Sequence, residues 1–353
     1  MVHFIGEKMT LISEIHEQPA RLGDLLKSQR KTVEEIAAAI RKNNPNFVFL
    51  TARGTSDNAG RYANYLWGAQ NQLPLALATP SLFTYYQQPP TINNALVVGI
   101  SQSGKSPDIV SVLEEGKKQG NLTLAITNEA NSPLAKVADF VLDLQAGDEK
   151  AVAATKTYTA QLMSIAMLSA ALSNDETRWD ELAKVSEWAK QALAQEQKIA
   201  QAAQRYRYMD QCVVLGRGYN YATAFEWALK MKELSYIGSE PYSSADFKHG
   251  PLAMVDSGYP VFAVSPQGKV FDSMQATLQH LRHDLSAELV VISNSLAALE
   301  LAEVAIPIPE NVPEWLSPII SIIPAQLFSY HLTQAKGYDT EQPRTIRKVT
   351  ETL

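Results

Sequence analysis

Three charged residues stand at helical spacing inside an otherwise apolar stretch. Glu226, Lys230 and Glu233 occupy positions i, i+4 and i+7 of the segment 221–237. At 3.6 residues per turn they share one helix face. The other faces carry Phe225, Trp227, Leu229, Met231 and Leu234. A helix apolar nearly all round is usually buried, so the charged stripe should face a cleft or a partner subunit. Carboxylates beside an amine are equipped for acid–base work, because a lysine can lower a neighbouring carboxylate pKa and stabilise developing negative charge. A surface Glu-x-x-x-Lys ion pair has the same spacing, but it fits poorly with so many large apolar neighbours.

A second constellation is Ser101-Gln-Ser-Gly-Lys-Ser106, between the apolar run ending at Ile100 and a helix expected to begin at Pro107. Proline suits the first helical turn. The free N–H groups and positive dipole end there favour an anion. Ser101, Ser103 and Ser106 add hydroxyls, Gln102 adds an amide, and Gly104 allows a tight turn. Thr55 and Ser56 end an earlier apolar run and could converge on the same place. Serines that cap the helix and close a turn account for the local pattern equally well.

His249 lies in an expected turn before Gly250 and Pro251, where polar catalytic groups are readily carried. Taken alone, it is more often a structural histidine. His280 and His283 fall in a polar helical stretch and read as solvated. No metal-ligand spacing is present, and no Gly-x-Ser-x-Gly elbow. Gly216-Arg-Gly218 imitates the start of a dinucleotide fingerprint, but position 221 is Tyr where a third glycine belongs. Neither metal nor cofactor is therefore expected.

The elements that must position these groups are written twice. Arg53-Gly54 and Arg217-Gly218 each follow an apolar run, and 218 − 54 = 164. Gly104 and Gly268 follow the next comparable runs, and 268 − 104 = 164. Ala125-Ile-Thr-Asn128 and Val291-Ile-Ser-Asn294 match at 166. We read a tandem duplication of one α/β domain. In the first copy strands are expected near 47–52, 74–78, 95–100, 122–127 and 139–144, with helices near 57–69, 107–119 and 153–172. Apolar strands alternating with helices indicate a doubly wound parallel sheet covered on both faces, with ligands at the carboxyl ends of its strands. In the second copy Pro266 and Gln267 replace Gln102 and Ser103, so one anion loop and one degenerate loop are expected. Residues 174–207 read as helices linking the copies.

The 353 residues suit two domains at ~150 residues each. A net charge of −6 gives no bulk attraction to nucleic acid or an anionic membrane. The apolar stretch 315–332 is broken by Pro318 and Pro324 and carries Ser317, Ser321, Gln326 and Ser329, so it reads as a buried helix. Met1–Gly6 lacks the pattern of an export signal. Cys212 is the sole cysteine, which excludes an intrachain disulfide and fits a reducing compartment. A cytoplasmic location is expected.

Together these segments resemble the sugar isomerase (SIS) domain family, and more closely look like the isomerase half of glucosamine-6-phosphate synthase. The resemblance rests on Arg53-Gly-Thr-Ser56, Ile100-Ser-Gln-Ser-Gly104, Val152-Ala-Ala-Thr-Lys156, Glu226 through Tyr236, Lys248-His-Gly-Pro-Leu252 and Gln342-Pro-Arg344. It implies two tandem SIS domains and a homodimer with its active site at the subunit interface. It places Ser56, Ser101, Gln102, Ser103 and Ser106, with Thr55 adjoining, at the sugar phosphate. Val152, Ala153 and Ala154 are placed against the sugar. Glu233 becomes the base that moves a proton between C1 and C2, with Glu226 and Lys230 in support. His249 becomes the ring-opening residue, supplied across the dimer. Lys348, which local reading leaves as a solvated tail charge, becomes the amine that forms a Schiff base with a ketose.

On this reading residues 1–190 hold N-terminal helices and the first SIS domain. The second spans 191–338, and 339–353 form a tail contributing to the active site. Two departures stand out. Lys105 replaces a glutamate and Ala154 a serine, so a more basic phosphate site is expected. The synthase also carries a glutaminase with an N-terminal cysteine, whereas Val2 follows Met1 here. The expected reaction is therefore catabolic: glucosamine 6-phosphate and water give fructose 6-phosphate and ammonia. Competing expectations are a 6-phosphofructosamine–amino acid deglycase, a galactosamine-6-phosphate deaminase/isomerase and a phosphosugar-sensing module.

Overall fold

The computed structural model describes residues 10–348. Met1–Gly6, on which the readings of an absent export signal and of Val2 rest, lie outside them, as do residues 349–353. A long helix, α1 (Leu11–Asn43), precedes the first copy. Five strands follow: β1 (Phe47–Thr51), β2 (Leu75–Leu77), β3 (Ala95–Ser101), β4 (Leu122–Thr127) and β5 (Phe140–Asp143). The principal helices among and after them are α2 (Thr55–Asn71), α3 (Pro107–Lys118) and α4 (Lys156–Ser173). The expected link is three helices, α5 (Glu176–Leu182), α6 (Val185–Leu193) and α7 (Glu196–Arg205). The second copy comprises β6 (Gln211–Gly216), α8 (Tyr221–Ser235), β7 (Gly238–Ser243), β8 (Pro260–Val264), α9 (Phe271–Gln279), β9 (Glu288–Ser293), β10 (Val304–Pro307) and α10 (Ser317–Ala335).

Both sheets are wholly parallel and share one strand order. The first runs β2-β1-β3-β4-β5 and the second β7-β6-β8-β9-β10. Equivalent strands begin 211 − 47 = 164 and 304 − 140 = 164 positions apart. The residues matched between the copies hold backbone. Gly54 and Gly218 both take left-handed φ, 53° and 58°, where a side chain is unfavourable. Asn128 accepts from the Ala146 N–H and donates to the Gly147 carbonyl. Asn294 likewise donates to the Glu310 and Val312 carbonyls. Each asparagine thus ties down the loop after its copy's last strand.

Alternation along the strands divides the interior. Val48, Leu50, Val98 and Ile126 from the first sheet, and Val214, Phe262 and Ile292 from the second, join one core with α1, α2, α4, α8 and α10. Phe49, Val97 and Ala125 face the opposite way onto α3, while Leu215, Val261 and Val291 face Met274 and Leu278 of α9. Successive strand side chains point to opposite faces, so each sheet is covered twice and the two copies share their inner layer. Trp227 of α8 packs edge-on to Phe262 at 5.0 Å and to Phe328 of α10 at 5.9 Å between ring centroids. The helix that carries the charged stripe is thereby fixed.

The stretch read as a buried helix forms α10, with Pro324 inside it. Ser329 and Thr333 donate to the carbonyls of Ala325 and Ser329, which satisfies hydroxyls that would otherwise be stranded. Among the described residues, no helix is long and apolar enough to cross a membrane.

Candidate active site

A cleft of about 310 Å³ opens at the carboxyl ends of β1 and β3. Arg53, Thr55 and Ser56 line it from the β1–α2 turn; Ser101, Gln102, Ser103 and Ser106 line it from the β3–α3 loop. Val152 and Ala154 come from the loop before α4, Glu233 from α8, and Ile346–Lys348 from the tail. Residues scattered over nearly 300 positions therefore meet in one place.

The β3–α3 loop is partly committed to its own turn. Ser101 Oγ accepts the Gly104 N–H at 3.1 Å, and Ser103 Oγ accepts the Lys105 N–H at 3.4 Å. Ser56 Oγ accepts from Gln161 Nε2 at 2.9 Å. Ser106 stands at the N-cap of α3 without a capping side-chain bond. Some hydroxyls of this loop thus close its turn, while the start of α3 borders the cleft. Gly104 has φ 60°, and a Cβ there would lie 2.1 Å from Ser132 Oγ. Gly104→Ala should therefore cost about 1–3 kcal/mol of stability through overpacking, as checked by denaturant titration.

Behind the cleft the stripe on α8 forms a buried network with α2. Lys230 Nζ lies 2.5 Å from Glu233 Oε2, 3.2 Å from Glu226 Oε1 and 3.2 Å from Thr55 Oγ1. Glu226 also accepts from Thr55 Oγ1 at 3.1 Å and from Asn58 Nδ2 at 2.8 Å. Glu226 and Lys230 are fully buried, while Glu233 keeps 25% of its side chain exposed. Burial pushes the Glu226 carboxyl up to about 7, with the Lys230 charge opposing it. Burial works against the Lys230 ammonium, but Glu226 and Glu233 outweigh it and keep the amine protonated. The arrangement presents one accessible carboxylate backed by a fixed cation.

The tail is docked. Arg344 sits 3.8 Å over the Tyr236 ring, and its N–H donates to Tyr236 Oη. Lys348 Nζ lies 2.6 Å from Glu149 Oε2. Glu149 is fully buried and also accepts from the amides of Thr155 and Thr157. Burial would raise its carboxyl, but Lys348 and these amides hold it below the usual range. Sequence reading missed Glu149, although it stands three residues before the Val152 motif. It also missed the lining role of Arg53, whose Nε pairs with buried Asp108 at 2.8 Å, and those of Thr157, Gln161 and Arg347.

Four expectations are corrected or incomplete. Ala153 is buried in the shared core and does not line the cleft, because its neighbours Val152 and Ala154 point the other way along the chain. Lys105 is exposed and off the lining, so the cleft's cations are Arg53, Arg347 and Lys348. Glu226 and Lys230 lie behind Glu233 and do not line the cleft. His249 is exposed and is not brought to the cleft of its own chain. Among the described residues, no cluster of three or more His, Cys, Asp or Glu is placed to hold a metal.

In the second copy the corresponding loop is occupied from within. Lys269 N–H donates to Glu314 Oε2 at 2.9 Å, and Gln267 N–H to Asn294 Oδ1 at 2.7 Å. A Cβ at Gly268 would lie 2.2 Å from the Glu314 carboxyl carbon.

Two tandem parallel-sheet domains, with a hydroxyl-rich loop at the strand ends of the first and a buried charged row beneath it, define a doubly wound α/β class. The SIS domain model matches residues 43–171 and 207–335, and the chain belongs to the SIS domain family. It is 34% identical to a glutamine–fructose-6-phosphate aminotransferase (isomerizing) of Thermococcus kodakarensis, over 99% of this chain and 59% of that one. The chain thus spans under two thirds of the relative's length. Among solved structures, the C-terminal domain of glucosamine-fructose-6-phosphate aminotransferase from Francisella tularensis superposes with a TM-score of 0.82 at 29% identity, covering 97% of this chain and 100% of that one. Glucosamine-6-phosphate deaminase from Thermotoga maritima shares the fold, with a TM-score of 0.76 at 21% identity over 97% and 99% of the two chains.

Proposed function

We propose that this chain is a phosphosugar aldose–ketose isomerase that releases ammonia, converting glucosamine 6-phosphate and water to fructose 6-phosphate and ammonia. The observation that carries this reading is the meeting of Glu233 with the Ser101–Ser106 loop and Lys348 in one cleft. The phosphate is held by the α3 N-terminus, Ser56, Ser101, Gln102, Ser103 and Ser106, with Thr55 and Arg53 adjoining. This leaves the other end of the open-chain sugar near Glu233.

Glu233 removes the proton from C2 and returns it to C1. O1 gains the proton that the C2 amine loses, so the aldehyde with an amine at C2 becomes a hydroxymethyl carbon beside an imine, which water cleaves to ketone and ammonia. Lys230 offsets the negative charge that develops during proton transfer. Lys348 reaches the carbonyl end, where an amine can attack once deprotonated. His249 opens the ring from the partner subunit of a homodimer. Its exposure supports that placement, as does the open groove beside the cleft lined by Gly54, Asp57, Phe225 and Leu229.

Cys212 is buried in β6 and its thiol is pushed up to about 12, so it offers the cleft no nucleophile. Incubation with glucosamine 6-phosphate, galactosamine 6-phosphate and a 6-phosphofructosamine–amino acid should release ammonia and fructose 6-phosphate from the first. Isomerisation without ammonia would overturn the deaminase reading. Turnover of the third substrate in preference to the first would assign a deglycase.

A further inference from the structure

α1 lies before both segments matched by the SIS domain, yet its first turn reaches the cleft by two routes. The first is Glu14, which is fully buried. Its Oε1 accepts the N–H groups of Lys150 at 2.5 Å and Ala151 at 3.2 Å. These two amides lie between Glu149, which holds Lys348, and Val152, which lines the cleft. The second route is the N–H of Leu11, which donates to both oxygens of Glu341 at 3.2 and 3.1 Å. Glu341 stands 348 − 341 = 7 residues before Lys348 in the tail.

The turn itself is rigidly placed. Thr10 and Ser13 form a reciprocal capping box. One and two turns on, Gln18 donates to Gln326 of α10 at 2.8 Å and accepts from Thr159 of α4 at 2.9 Å, while Glu17 pairs with fully buried Lys156 at 2.9 Å. A loop and a tail from distant parts of the chain are thus fastened to the same helical turn, and Glu149–Lys348 closes the circuit between them.

We propose that the first turn of α1 sets the position of Lys348 in the cleft, with Glu14 and Glu341 as positioning residues. Glu14 holds the loop that carries Glu149, and Glu341 shortens the free tether of the tail. A tether held near its target keeps a high effective concentration there. Releasing either anchor lets the lysine sample solvent while leaving the phosphate loop intact. The proposal rests on the cleft being the substrate site, but its primary test needs no turnover.

The test is acylation of Lys348 by a small amine-reactive reagent, read by mass spectrometry of the tail peptide. Glu14→Ala and Glu341→Ala should each speed labelling about 10-fold, as expected for local opening. Glu14→Gln keeps an acceptor oxygen for both amides and should stay within about 3-fold of the native rate. Inorganic phosphate affinity, measured in parallel, should be unchanged. On a substrate of the native protein, the two alanine variants should lose about 10–100-fold in kcat, with KM within about 3-fold. Equal labelling of native, Glu14→Ala and Glu341→Ala proteins, with phosphate binding intact, would overturn the proposal. Should Glu14→Ala not fold, Glu341→Ala, at the start of the tail, decides the matter alone. A native protein that turns over no phosphosugar would sink the functional reading and leave the labelling result standing.

Discussion

Glu233→Gln should lower kcat by about 10²–10⁴-fold, the range for removing a positioned general base. Its carboxylate is the member of the α8 stripe that reaches the cleft, and the amide is nearly isosteric. Folding should therefore survive, and so should inorganic phosphate affinity, since the Ser101–Ser106 loop is untouched. Proton exchange separates this outcome from a binding defect: the native protein should exchange the substrate C2 hydrogen with solvent deuterium, and the variant should not. Turnover within a few-fold of native would show that Glu233 is not the base.

Lys230→Met should have the largest effect on stability. Lys230 touches Glu226 and Glu233 while itself nearly inaccessible. Removing one partner of a buried ion pair typically costs about 3–5 kcal/mol, because the remaining charge is stranded. The pH dependence gives the loss a signature. Burial already raises the Glu226 carboxyl to about 7 with Lys230 opposing it, so without that cation it rises further. A folded pKa raised above the unfolded one contributes stability that is present below the unfolded value, 4.5, and is lost as pH rises through the folded value. Native and variant lose this stability equally up to about pH 7, where the native Glu226 titrates, so the variant's deficit should be nearly constant below that pH and grow above it, as read by urea titration on both sides. Glu226→Gln combined with Lys230→Met should recover part of the loss, since the stranded carboxylate is then gone. A deficit independent of pH would show that packing, and not charge, dominates at this position.

Much of the fold was legible because the forces that make it are local. Strands buried on both faces read as continuous apolar runs, and each predicted strand of the first copy falls within a residue or two of the observed one. The α8 stripe announced itself because charge is costly among Trp227, Met231 and Leu234. What was not legible depends on partners far away in sequence. Glu149 has no local pattern to mark it; its role comes from a lysine 199 positions later. Glu14 looks like an ordinary first-turn acid until Lys150 and Ala151 arrive beneath it. Ala153 was misplaced by treating a motif as a surface, when neighbouring side chains of an extended loop face opposite ways. Lys105 was misjudged for the same reason, a charge counted by its position in the chain and not by its direction.

The internal plugging of the second loop by Glu314 bears on how the two copies are now constrained. Matched positions such as Gly54 and Gly218, or Asn128 and Asn294, keep the same backbone job in both halves. Chemistry has parted company from that symmetry. One half carries the hydroxyl-lined helix start that borders the cleft, and the other supplies the charged helix that leans on it through Thr55 and Asn58. The molecule is therefore a heterodimer in one polypeptide. Its two halves are free to drift at every position where only one of them works, and there a substitution tolerated in one half says nothing about the matched site in the other.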